Sequence, residues 1–144
     1  MGAEPYLYFT EYRADIGEAL ERLREQEFEA GRYNPASPFP FDRRNDSPGA
    51  QHGSIEEART AAEADGTRSI LDLDHISEEP EFFAASPLPD ERLLELFGTT
   101  QPTRTTVEKD QDFFEEIDRG HGIYIIVYRD GKPDEICFAG YSFD

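Results

Sequence analysis

Basic residues are scarce in this chain: 14 Lys and Arg stand against 32 Asp and Glu, a formal net charge of -18 over 144 residues. Nucleic-acid binding draws most of its affinity from cationic groups that displace counterions, so direct contact with a phosphate backbone is not expected. Anionic membrane surfaces repel the chain for the same reason. Cysteine is scarcer still. The single thiol, Cys137, permits no internal disulfide, and an oxidising compartment is not required. Between Ile136 and Phe138 it reads as a small buried hydrophobe rather than a nucleophile. No segment approaches the roughly 20 apolar residues of a membrane span, and MGAEPYLYFTEYR at the N-terminus lacks a basic start followed by an apolar run. The expected location is the cytoplasm.

Catalytic templates are missing too. There is no glycine-rich phosphate loop, no dinucleotide fingerprint, no His-Glu-x-x-His and no nucleophile elbow. Nothing calls for a cofactor. Acid pairs suited to glycoside hydrolysis are too numerous in so acidic a chain to single any out.

What is present begins with Gly122 to Tyr141, GIYIIVYRDGKPDEICFAGY, where two apolar runs flank a turn and predict a central β-hairpin. A two-residue Asp130-Gly131 turn would set Val127 and Ile126 opposite Asp134 and Glu135 and put Pro133 inside the ladder. A four-residue loop, Asp130 to Pro133, pairs Arg129 with Asp134, Val127 with Ile136 and Ile125 with Phe138, and is preferred. Ile125, Val127, Ile136 and Phe138 then share one face, and Tyr124, Ile126, Tyr128 and Cys137 the other. A strand apolar on both sides belongs inside a sheet covered twice.

Upstream, Tyr6 to Tyr12 alternates, with Leu7 and Phe9 on one side and Tyr6, Tyr8, Thr10 and Tyr12 on the other, as in a strand. Asp15 is placed to cap a helix running to about Ala30, with Ile16, Ala19, Leu20 and Leu23 as its apolar stripe. Periodicity is lost over about 32–53, a Pro-rich loop carrying Phe39 and Phe41. Ser54 and Glu57 have capping-box spacing for a short helix to Ala64. Arg68 to Leu73 reads as a short strand, and Asp74 to Pro89 as an irregular acidic link. A helix follows over Asp90 to Phe97, with Leu93, Leu94 and Phe97 inward and Gly98 as its stop. Another opens at Thr105 with Glu108 and runs to Gly120, presenting Val107, Phe114 and Ile117 with Phe113 beside them. The chain therefore fits one α+β domain spanning 1–144, with a largely antiparallel sheet of about four strands packed by about four helices. At this length a domain buries roughly 70% of its unfolded surface, which suffices without staples.

Two groups of side chains stand out as site candidates. Tyr6, Tyr8 and Tyr12 share one strand face and Tyr124 and Tyr128 share a hairpin face; with Phe39 and Phe41 they could form an aromatic binding layer, since tyrosine packs its ring while keeping its hydroxyl wet. Asp72, Asp74 and His75 place two carboxylates and an imidazole together, a ligand set for a hard cation, with His52 and His121 as further contributors if folding brings them close. Charge favours a non-enzymatic interaction protein, an inhibitor or immunity-like binder of a basic protein partner. A metal-assisted hydrolase centred on Asp72, Asp74 and His75, or a small-ligand domain built on the tyrosine face, are the alternatives.

Overall fold

A computed structural model of the chain describes residues 5–30, 54–56, 70 and 73–141. The expected loop at 32–53 with Phe39, Phe41 and His52, most of the helix after Ser54, and Asp72 lie outside the described residues.

Five strands form one sheet in the order β1-β5-β4-β3-β2: β1 is Pro5–Glu11, β2 His75–Ile76, β3 Ala84–Pro87, β4 Gly122–Arg129 and β5 Lys132–Tyr141. The expected α+β class stands, but the sheet is mixed rather than largely antiparallel. β5 pairs antiparallel with both β1 and β4, while β4 with β3 and β3 with β2 run parallel. The parallel pair β3 and β4 is joined by a long crossover. Between β3 and β4 that crossover consists of α2 (Asp90–Phe97), α3 (Arg104–Lys109) and a 3-10 helix (Asp112–Glu116).

The two parallel strands fall inside the stretch read from sequence as an irregular link. Ala84, Ala85 and Ser86 are buried between layers, yet carry none of the β-branched or aromatic residues by which strands are recognised. Pro87 at the strand's end strengthens the appearance of a loop. Of the short strand expected over Arg68 to Leu73 only Ile70 and Leu73 are described: Ile70 lies in a 3-10 turn, the Leu73 amide donates to the Ile70 carbonyl at 3.1 Å, and the next described pairing starts at His75.

The hairpin corrects the preferred register. Its tip is the two-residue Asp130-Gly131 turn, with φ of 53° and 78° as a type I′ turn requires. Arg129 pairs with Lys132 and Tyr128 with Pro133, after which a bulge lets Val127 face Glu135 and Ile126 face Ile136. Asp134 is the extra residue, accommodated by this bulge rather than by the expected four-residue loop. β5 is therefore turned over relative to expectation. Ile136 and Phe138 join Tyr6, Tyr8, Tyr124 and Ile126 on one face, and Cys137 joins Ile125 and Val127 on the other.

Both faces are covered, as the apolar character of the hairpin implied. The first packs on α1 (Ile16–Ala30) through Ala19, Leu20 and Leu23, with Ile70, Leu73 and Ala85 completing that core. The second packs on Leu88, Leu93, Val107, Phe113 and Ile117 from the crossover. α1 is capped as expected, the Glu18 amide donating to Asp15 Oδ1 at 3.1 Å. Glu18 meets Arg22 at 3.6 Å one turn on.

Helix α2 stops at Gly98, whose φ of 74° is left-handed and whose amide donates to the Leu94 carbonyl at 2.9 Å. Leu94 itself points outward, 53% exposed, while Leu96 and Phe97 turn in. The helix expected from Thr105 to Gly120 starts earlier and is broken in two. Thr103 is its cap, accepting from the Thr106 amide at 3.3 Å. The break follows Lys109, where the Asp112 amide donates to Asp110 Oδ1 and Gln111 Nε2 to the Glu108 carbonyl, local bonds that compete with the helical ladder.

Candidate functional site

The β1–β5–β4 pairing does bring Tyr6, Tyr8, Tyr12 and Tyr124 to one face. They occupy different depths. Tyr6 and Tyr8 are 0% and 6% exposed within the core, whereas Tyr12 and Tyr124 are partly buried at its margin. The Tyr124 ring centre lies 6.3 Å from that of Phe138, and burial raises its hydroxyl pKa. Tyr128, partly buried beside the bulge, donates its amide to the Pro102 carbonyl at 2.8 Å. Cys137 is fully buried, and loss of hydration pushes its thiol pKa far up, so it stays protonated and packs as a hydrophobe.

Asp74 and His75 stand at the entrance to β2. His75 Nδ1 meets Asp74 Oδ1 and its Nε2 meets Glu81 Oε1, so the imidazole bridges two carboxylates. Only the imidazolium donates from both nitrogens. The hydrogen bond to Asp74, then that to Glu81, raises the His75 pKa above its ordinary 6.5. Protonation therefore favours the folded protein: the contribution is complete below about 6.5 and is lost as pH rises through the higher folded value. His75→Gln is expected to flatten the pH dependence of the melting temperature in that upper window. Because the ring is half-exposed, the change is small. Melts of both proteins at a series of pH values check it, and parallel curves would contradict it. Among the described residues, no group of three or more His, Cys, Asp or Glu is arranged to hold a metal ion.

Glu81 opens the most distinctive surface, inside the stretch whose sequence reads as an irregular acidic link. Between β2 and β3 the chain makes a short lobe, Ser77 to Phe83. The Ser77 amide donates to the Ala85 carbonyl at 3.0 Å, and its Oγ to the Glu79 carbonyl at 2.7 Å. At the far end the Phe83 amide donates to the Gly120 carbonyl and the Phe83 carbonyl accepts from the Asp74 amide, both at 2.8 Å. Phe83 holds a φ of 63°, a conformation a bulky L-residue adopts only when its surroundings impose it.

This pinned backbone sends Phe82 outward. Phe82 is 55% exposed, its ring meeting His121 edge to face at 4.9 Å. Around it the segment from Asp74 to Pro89 carries Asp74, Glu78, Glu79 and Glu81 and not one Lys or Arg. His121 thus comes to the same lobe as Glu81, though through Phe82 rather than as a ligand.

No protein-family model matches this chain, and no match was found among curated proteins or among solved structures.

Proposed function

We propose that this chain is a non-catalytic binding module for a basic protein partner, docking through the lobe between β2 and β3. The observation that carries the reading is Phe82: an outward aromatic on a backbone fixed at both ends by hydrogen bonds, in a segment with four acids and no Lys or Arg. Aromatic anchors dominate binding energies when a partner encloses them, and a lobe that is already ordered loses little entropy on docking. The strain at Phe83, of order 1–2 kcal/mol for a left-handed non-glycine residue, opposes folding and is consistent with a backbone shaped for contact.

Charge sets the chemistry of the partner. A net charge of -18 accelerates encounter with a cationic surface and disfavours acidic ones. Carboxylates beside Phe82 would pair with basic groups at the rim of the contact. Among the described residues no helix is long and apolar enough to cross a membrane.

The metal-assisted alternative would have to recruit His75 away from Asp74 and Glu81, both of which its ring already engages. The decisive experiment is purification of a stoichiometric complex, followed by titration of the isolated partner at rising salt. The reading predicts a defined ratio and an affinity that falls steadily with ionic strength. Absence of any stoichiometric partner, or an affinity indifferent to salt, would contradict it.

A further inference from the structure

Resting on that reading of the lobe, we infer that the group it receives is an arginine, its guanidinium stacked on the Phe82 ring and its edge paired with carboxylates of the same loop. The chain holds one of its own arginines in this manner. The Arg104 guanidinium carbon lies 4.3 Å from the centre of the Phe9 ring, while Nε donates to Glu108 at 2.9 Å and an Nη to Glu135 at 3.0 Å. Stacking uses the face of the guanidinium and leaves its N–H groups in the plane for the carboxylates. A lysine ammonium has no such face, so its ring contact and its carboxylate pairing compete for the same three N–H groups.

The lobe has the same parts. Phe82 supplies a ring more than half open to solvent, and Glu81 precedes it directly, with Glu78 and Glu79 in the same loop. Glu81 already meets the His75 ring nitrogen through Oε1, and a carboxylate has further lone pairs to offer. The turn that accepts the Phe83 amide carries Asp118 and Arg119 side by side, so it adds no net charge to set against an incoming cation. The backbone at both ends of the lobe is hydrogen-bonded, to Ala85 at one end and to Asp74 and Gly120 at the other, so the loop is held before the partner arrives.

Decaarginine and decalysine peptides, titrated calorimetrically at the same moderate salt, separate the shape of the cation from its charge. The full chain is expected to bind decaarginine about fivefold tighter than decalysine. In Phe82→Leu, which keeps an apolar side chain but removes the aromatic face, most of that preference is expected to vanish. Melting curves confirm that the variants fold. An arginine preference equal in the wild type and Phe82→Leu would overturn the inference; if Phe82→Ala still weakened both peptides, the docking reading would survive. Affinities for both peptides unchanged in Phe82→Ala would overturn the docking reading and the arginine inference with it.

Discussion

Replacing Gly140 by alanine is expected to destabilise the protein by about 3 kcal/mol, a large fraction of a small domain's stability. The residue is the next to last of β5, paired with Tyr6 on one side and Gly122 on the other. A Cβ there would lie 2.6 Å from the His121 carbonyl oxygen, 2.6 Å from the Tyr6 hydroxyl and 2.8 Å from Tyr6 Cζ. Tyr6 is fully buried and the carbonyl is backbone, itself accepting from the Tyr141 amide at 3.2 Å. Neither can retreat without opening the sheet. Gly122→Ala serves as a comparison, because its Cβ would meet chiefly the two Leu73 methyls, at 2.6 and 2.9 Å. A side-chain end can rotate, so a cost of about 1 kcal/mol is expected there. Urea unfolding at fixed salt measures both. Tyr6→Phe in the Gly140→Ala background should restore only part of the loss, since the His121 carbonyl remains in the way. A Gly140→Ala protein within about 0.5 kcal/mol of wild type would show that the sheet is not packed as described.

Phe82→Ala is expected to do the opposite: leave the fold and weaken binding. The side chain is 55% exposed and belongs to neither core cluster, its ring meeting those of His121 and Phe83, so truncation removes little from either core. Against a partner that encloses the ring, loss of a central aromatic costs about 2 kcal/mol, or roughly thirtyfold in affinity. Leu94→Ala is the matched control, a second exposed apolar residue, on α2. It should change neither property. A thermal melt and a titration of the purified partner give both readings for each variant, and equal losses of affinity in the two would mean that exposed apolar area, rather than this lobe, is being measured.

Much of the scaffold was legible because its signals are local. Alternation in Tyr6 to Tyr12 assigned both faces of β1, and Asp15 marked the start of α1 with the bond it makes. Gly98 marked the end of α2 equally well. What failed was set by partners distant in sequence. The bulge at Val127 and Tyr128 reconciles an Asp-Gly turn with apolar pairing, and no argument confined to the hairpin's own pairs distinguishes it from a longer loop. β3 is a strand because it is enclosed between two layers and two neighbours, a circumstance that Ala84-Ala85-Ser86 does not announce. The lobe carrying Phe82 went unread for the same reason: without β2 and β3 on either side, Ser77 to Phe83 is only an acidic link, and nothing indicates which of two adjacent phenylalanines faces outward. The aromatic and metal candidates stand out in the sequence by residue type alone. Of them, Tyr6 and Tyr8 lie in the core and His75 is engaged by two carboxylates, while Asp72, Phe39 and Phe41 lie outside the described residues.

The most direct test of the docking account is the dissociation constant of the purified partner complex as a function of salt, measured for wild type and for Phe82→Ala. The account predicts that both proteins lose affinity with salt along parallel lines, reflecting shared charge steering, with Phe82→Ala displaced to weaker binding at every salt concentration. Superimposed lines would show that the partner does not enclose Phe82, and flat lines that its surface is not basic.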